Sequence, residues 1–166
     1  MTIIGIDPGY AIIGYGIIDH ENNHFKVIDF GAITTEAHTD FNDRLFQIYT
    51  ELSILLMRHR PDVMAIEKLY FNTNQKTAIP VAEARGVILL AARQNNIPVY
   101  EYTPLQVKQS VVGYGRAEKQ QVQEMIKILL NLDKVPKPDD TADALAMAVC
   151  HAHTNGSVLG RLNSLQ

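Results

Sequence analysis

The sequence contains very little cysteine and no long apolar run. Cys150 is the only cysteine among the 166 residues, which excludes an intrachain disulfide and a zinc site built from thiolates. The longest wholly apolar run, Ala144 to Cys150, is far shorter than the roughly 20 residues that a bilayer-spanning helix needs. A charge as early as Asp7 is not typical of a signal peptide. We therefore expect a soluble cytoplasmic protein with no membrane partner.

An overall excess of positive charge is also missing. The net charge is −3 and the isoelectric point is about 6.0, which by themselves argue mildly against binding to nucleic acid. The charge is unevenly distributed, however. Residues 68–127 carry 8 basic and 4 acidic side chains, whereas residues 1–67 carry 4 basic and 10 acidic ones. A polyanion could bind the basic middle third, although chance segregation would produce the same pattern.

The order of apolar runs predicts a mixed α/β fold. Three β-branched runs joined by short polar turns predict an antiparallel meander over residues 2–6, 11–18 and 24–33. Two later strand-like runs, 63–66 and 98–102, alternate with stretches of helical spacing that begin near residues 41, 75, 104, 117 and 138. The pattern predicts a mixed five-stranded sheet with helices on both faces. We expect one domain over residues 1–156 and a flexible tail over 157–166.

Four acidic residues stand where they could meet in space. Asp7 and Glu67 each follow an apolar run, and the crevice beyond the carboxyl ends of strands is the usual ligand site of α/β sheets. Asp140 and Asp143 are three residues apart on one face of the last predicted helix, which is rich in alanine. Three of these acids also have an ordinary alternative: a turn for Asp7, a solvated strand end for Glu67, and a helix cap for Asp140, as for its neighbour Asp139. Asp143 is the hardest to explain in this way, because its helix is expected to be buried.

Carboxylates brought together in this way would need a cation. Four of them would repel one another and titrate abnormally without it. Hard oxygen ligands suit Mg²⁺, with Mn²⁺ as a substitute, better than zinc. Two such ions about 3.5–4 Å apart can activate a water and stabilise the leaving oxygen of a phosphodiester. The acids therefore predict a magnesium-dependent phosphodiesterase site that holds two ions during cleavage.

Five blocks of sequence carry a resemblance to one nuclease family. They are Ile4–Gly9, Ala65–Phe71, Glu83–Val87, Gln106–Gly113 and Lys137–Ala146. In this order and at this spacing they resemble the RuvC family of Holliday-junction resolvases over almost the whole chain. The resemblance implies a ribonuclease-H-like fold and a Mg²⁺-dependent homodimer. It also implies paired nicks in four-way junction DNA during recombination and repair, in cooperation with the RuvA–RuvB branch-migration complex.

The resemblance also implies roles for individual residues. The residues that match the catalytic and metal-binding acids of the family are Asp7, Glu67, Asp140 and Asp143. Asp139 is not carried over, because the matching pair is spaced by three. Lys119, which we also expect to be catalytic, and Lys108 match lysines close to the scissile strand. Tyr70 stands where the family usually has a phenylalanine that stacks on a base, with Phe71 as the alternative. Two further residues are expected to contact phosphates, Lys76 and Arg116.

Several alternatives remain open at this stage. The segment from Gly5 to Gly9 would also suit an actin-like ATPase or a sugar kinase, but such proteins need a second domain that this chain is too short to hold. A non-catalytic junction-binding module would be expected to lack one of the acids, and none is missing. Another ribonuclease-H-like nuclease is the remaining choice. We expect the dimer interface on the helix through Ala82, Arg85, Gly86 and Leu89, unless Gly86 packs on its own sheet.

Overall fold

The computed structural model describes residues 1–69 and 75–156, with residues 75–77 and 156 described by their backbone alone. The strands are β1 (Thr2–Asp7), β2 (Ile12–Glu21), β3 (His24–Thr34), β4 (Val63–Glu67) and β5 (Val99–Tyr102). The helices are α1 (Phe41–His59), α2 (Gln75–Gln94), α3 (Pro104–Val112), α4 (Lys119–Leu129) and α5 (Asp139–Gly156). The tail that we predicted over 157–166 lies outside the described residues. Within them, no helix is long and apolar enough to cross a membrane.

The five strands form one mixed sheet in the order β3-β2-β1-β4-β5. The first three strands are the predicted antiparallel meander, and β4 and β5 run parallel to β1. Strand β2 is longer than predicted, because Asp19, His20 and Glu21 pair with β3 instead of forming a turn. The turn is reduced to Asn22 and Asn23, both with positive φ, which asparagine tolerates better than most residues.

Helices cover both faces of the sheet, as predicted. Side chains of α1 and α2, such as Leu52 and Ile88, pack on one face with the apolar side chains of β1 and β2. Helices α3, α4 and α5 cover the other face, where Val107, Ile126 and Leu145 belong to one buried cluster. Because both faces are apolar and covered, the central strands β1 and β4 are almost fully buried, and polar groups reach solvent mainly at their ends.

Capping residues fix the ends of several helices. Asp40 caps α1, since its carboxylate accepts a hydrogen bond from the Asn42 backbone amide at 2.9 Å. Helix α4 begins at Lys119, two residues later than predicted, because Glu118 is extended and forms a capping box with Gln121. Pro80 lies inside α2.

Helix α5 lies directly on the backbone of the sheet. A β-carbon at Gly5 would be 1.9 Å from the carbonyl oxygen of Ala144, and one at Gly14 would be 1.9 Å from that of Asp140. Only glycine permits so close an approach at these two positions. The alanines of α5 at 142, 144, 146 and 148 are buried on the helix side of the contact. This contact fixes where the first turn of α5 stands relative to the end of β1.

His151, near the end of α5, is fully buried. Its Nδ1 lies 2.7 Å from the hydroxyl of Tyr102, and its Nε2 lies 3.0 Å from the side-chain nitrogen Nδ2 of Asn155. Burial lowers the pKa of His151 to about 4, so the folded protein holds this side chain neutral.

His151 should make the protein sensitive to mild acid. Its pKa is lower in the folded than in the unfolded chain, so its contribution to stability is complete above pH 6.5 and is lost as the pH falls from there towards 4. We expect the wild type to lose about 2 kcal/mol more unfolding free energy than His151→Gln between pH 6.5 and 5. Urea unfolding at each pH measures this difference. His38→Gln, in an exposed loop, should keep the wild-type slope, and equal slopes for the wild type and His151→Gln would contradict the prediction.

Candidate active site

Two acidic side chains lie next to each other where the parallel strands β1 and β4 end. Asp7 is the last residue of β1 and Glu67 is the last residue of β4. Since Ile6 is paired with Ile66, the two acids follow neighbouring positions of the ladder. The sheet thereby fixes the backbone of both acids at the edge that α/β proteins commonly use for ligands.

The first turn of α5 brings two further carboxylates to this edge. Gly14 is the antiparallel partner of Asp7, and the backbone of Asp140 occupies the space that a side chain at Gly14 would need. Asp140 therefore stands beside the end of β1. Asp143 is almost one turn further along the same face of α5. The structure thus brings the four predicted acids to one place.

The charges of these acids are strongly coupled. The pKa of Asp7 is raised to about 8, first by burial and then by the charges of three other acids, Asp143, Glu67 and Asp140. Burial is also the main reason that the pKa values of Glu67 and Asp143 are raised, and the charge of Asp143 adds to the effect on Glu67. At neutral pH the cluster therefore favours a proton or a metal cation in its centre.

One lysine provides a positive charge within the cluster. The Nζ of Lys119, the first residue of α4, lies 2.7 Å from Oδ2 of Asp143 and 3.8 Å from Oδ2 of Asp139. Burial by itself would lower the pKa of Lys119, but the hydrogen bond to Asp143 and the neighbouring negative charges outweigh burial and raise it. Lys119 is therefore charged at neutral pH.

A cleft of about 190 Å³ gives access to the cluster. Two acids, Glu67 and Asp143, and two lysines, Lys108 of α3 and Lys119, provide its charged groups. The other lining residues are mainly apolar: Pro104, Val107, Val122, Ala146 and Met147. Lysines can bind the oxygens of a phosphodiester, and the carboxylates can bind a cation beside it.

The candidate metal ligands fit a hard divalent cation in their chemistry. All four are carboxylates, and three of them are half-buried with pKa values raised by burial first and by neighbouring negative charge second, so a cation between them would be stabilised. Over residues 1–69 and 75–156, no three histidine, cysteine, aspartate or glutamate side chains are already arranged as a metal site.

The residues predicted to contact DNA are only partly brought together. Lys108 and Lys119 share the cleft. Arg116 is exposed in the connection between α3 and α4 and lines a separate surface groove with Tyr114. The remaining predicted contacts involve residues or side chains outside the described part of the chain: Tyr70, its alternative Phe71, and Lys76.

Sequence reasoning missed Gln123. This residue is buried one turn after Lys119 on α4, and its side chain interacts with Asp139. The spacing of four from Lys119 was the available signal, since it places both side chains on one helix face.

Asp139, which was not predicted to belong to the acidic site, lies with its Oδ1 2.5 Å from Nζ of Lys137. The charge of Asp139 does not act on the pKa of Asp7, as those of Asp140 and Asp143 do, but it does add to the effect of burial that raises the pKa of Asp143.

Comparison with known proteins places the chain in one family. The sequence model of the family described as "Crossover junction endodeoxyribonuclease RuvC" matches residues 3–151. The chain is 62% identical over 154 residues to the protein of that name from Alkaliphilus oremlandii, covering 93% of this chain and 94% of the relative.

Solved structures agree with the sequence comparison. The Thermus thermophilus RuvC structure superposes with a TM-score of 0.88 at 32% identity, covering 98% of this chain and 97% of that one. The T. thermophilus RuvC in complex with a Holliday junction substrate gives the same TM-score of 0.88 at 31% identity, with 96% and 98% covered. The ribonuclease-H-like fold expected from the sequence is thereby confirmed. The chain belongs to the RuvC family of crossover junction endodeoxyribonucleases.

Proposed function

We propose that this protein cuts four-way DNA junctions as a crossover junction endodeoxyribonuclease, with Asp7, Glu67, Asp140 and Asp143 as its catalytic acids. The observation that carries the proposal is the electrostatic coupling of these four acids at one edge of the sheet, where burial and three neighbouring carboxylates raise the pKa of Asp7 to about 8. The names of the relatives and the T. thermophilus complex with a Holliday junction support four-way junction DNA as the substrate.

The four carboxylates are the proposed ligands of Mg²⁺, with Mn²⁺ as a substitute and two ions in the complete site. When bound, such cations supply Lewis acidity towards the phosphodiester and towards the attacking water. Asp7 and Glu67 stand on buried strands, so their backbone positions require little reorganisation before the reaction. Asp140 and Asp143 reach the same place from a helix that is held against the sheet by backbone contact.

Lys108 and Lys119 are the proposed phosphate-binding side chains of the cleft. Two ammonium groups beside the acids can hold the scissile phosphate and offset the negative charge that develops on it during attack. Lys119 is the better placed for catalysis, because its Nζ already lies within hydrogen-bonding distance of a proposed metal ligand, Asp143.

Removing the charge of any one acid should abolish cutting but not binding. We expect Asp7→Asn, Glu67→Gln, Asp140→Asn and Asp143→Asn each to lower the single-turnover rate on a labelled mobile junction by at least about 100-fold. Junction affinity should be kept, because it depends mainly on contacts to phosphates. Asp133→Asn, at an exposed acid in the loop between α4 and α5, is the control and should cut at close to the wild-type rate. A variant of the four that cuts at the wild-type rate would remove that acid from the proposed set.

Lys119 should matter more for the rate than for affinity. We expect Lys119→Ala to slow cleavage by about 100-fold while changing the junction dissociation constant by less than about fivefold, since its charge acts in the transition state. Single-turnover cleavage and gel-shift titration measure the two quantities. Lys137→Ala removes a nearby exposed lysine and should change neither strongly. Equal losses of rate and affinity in Lys119→Ala would make this lysine a plain phosphate contact.

We also propose that the enzyme acts as a homodimer through the outer face of α2. Ile79 and Leu90 are 66% and 53% exposed on this face. A β-carbon at Gly86 would meet no described atom within 4 Å, so our alternative that Gly86 packs on its own sheet is wrong. Arg85, in contrast, pairs with Glu101 of the neighbouring β5. A twofold dimer would present one acidic site to each of two opposed strands of the junction.

The dimer proposal predicts a specific effect of Leu90→Glu. A buried charge at the interface should turn a micromolar dimer into a monomer, which sedimentation velocity would detect. The two nicks in a junction should then become uncoupled, which a cruciform plasmid assay can measure. Ile128→Glu, at a side chain on α4 that is 68% exposed, is the control and should stay dimeric. A wild-type protein that is monomeric both free and on the junction would contradict the proposal.

Other expectations from the resemblance stay proposals. They are stacking of Tyr70 or Phe71 on a base near the junction centre, phosphate contacts by Lys76 and Arg116, cooperation with the RuvA–RuvB complex, and a cytoplasmic location. Exposure of Arg116 beside the cleft-lining helices supports its role as a phosphate contact.

A further inference from the structure

Lys119 is placed as a counter-ion for the whole acidic cluster. Its Nζ contacts Asp143 at 2.7 Å, and its positive charge also lowers the pKa values of Asp7 and Glu67, against the larger opposing effect of burial. The lysine is still 54% exposed, so its flexible side chain has free space into which it can turn.

Two other lysines nearby do not share this position. Lys137 pairs with Asp139 at 2.5 Å, on the outer side of α5, and does not contribute to the pKa of Asp7, Glu67 or Asp143. Lys108 lines the same cleft, but within the described part of the chain it forms no ion pair with an acid. Lys119 alone among these three is in contact with a proposed metal ligand.

We propose that Lys119 occupies the cation position of the DNA-free protein and competes there with the divalent metal. This inference rests on the proposed function, because it concerns the same four carboxylates. The Lys119 ammonium neutralises part of the negative charge of Asp143, and two cations so close together repel, so the lysine weakens metal binding at this carboxylate. A metal that binds there in turn weakens the contact between Lys119 and Asp143.

The competition links the metal to the substrate. If a DNA phosphate binds the Lys119 ammonium, as proposed above, Lys119 moves away from Asp143. The metal then binds more tightly, because the competing positive charge is gone. Thermodynamic reciprocity then requires that bound metal also strengthens the interaction of Lys119 with DNA. The metal-free, DNA-free protein keeps its carboxylates partly neutralised by its own side chain.

The test is a titration of the whole, DNA-free protein with Mn²⁺ alone, in which electron paramagnetic resonance counts the free ion. Lys119→Met should bind Mn²⁺ about tenfold more tightly than the wild type, because one competing positive charge next to the ligands is removed. Lys119→Arg keeps the charge and should remain within about twofold of the wild type. Lys137→Met makes the same charge change beside the cluster and should also remain within about twofold. Unchanged or weaker Mn²⁺ binding by Lys119→Met, or an equal gain in Lys137→Met, would overturn the inference.

A second series separates this inference from the proposed function. Asp7→Asn, made in both the wild type and Lys119→Met, should weaken Mn²⁺ binding at least about tenfold if the ion binds at the acidic cluster. If Asp7→Asn weakens binding but Lys119→Met equals the wild type, only the competition is wrong. If Asp7→Asn has no effect, the metal site itself is wrong and both proposals fail. The melting temperature supplies a readout independent of spectroscopy, since Mn²⁺ should raise it more in Lys119→Met than in the wild type.

Discussion

The site depends on the direct backbone contact between α5 and the two strands β1 and β2. Gly5 and Gly14 remove the side chains that would otherwise hold the helix away, and the carbonyl groups of Ala144 and Asp140 take up that space. Because Gly14 is also the ladder partner of Asp7, the contact that packs the helix is the same contact that brings its acids to the end of β1. If α5 lay further from the sheet by even the width of one methyl group, Asp140 and Asp143 would be separated from Asp7 and Glu67, which come from distant parts of the chain.

Bringing the acids together lowers the stability of the folded protein, and the packing of the apolar core on both faces of the sheet compensates for this loss. Burial and mutual repulsion raise the pKa values of Asp7, Glu67 and Asp143, so each acid is less favourable when ionised in the fold than in the unfolded chain. The two apolar layers on either side of the sheet hold β1 and β4 in place despite the repulsion. Lys119, at the start of α4, offsets part of the repulsion that remains between the acids. Such local destabilisation is typical of sites that bind a charged partner.

The sequence allowed the acids and the sheet to be predicted because both depend on local pattern. An apolar β-branched run that ends in Asp7 or Glu67 defines a strand and its carboxyl end together, and the alanine-rich helix predicts the close packing that brings Asp140 and Asp143 into place. Other features depend on how distant elements are oriented, which local patterns do not contain. The contact of Lys119 with Asp143 requires the angle between α4 and α5, and the burial of Gln123 depends on the same angle. The surroundings of Gly86 are open because of the position that α2 takes on the sheet, and this position cannot be predicted from local sequence.

Helix α5 connects the two ends of this arrangement. Its first turn stands beside the end of β1, whereas His151, about three turns later, is bonded to the hydroxyl of Tyr102 on β5. Tyr102 is in turn the ladder partner of Glu67. Helix α5 is therefore attached to the sheet at two places. Near its beginning it packs against Gly14, the ladder partner of Asp7, and near its end it is hydrogen-bonded to Tyr102, the ladder partner of Glu67. Thermal tilting of α5 would have to break one of these attachments, so the four acids are expected to fluctuate together as one rigid unit rather than as two independent pairs.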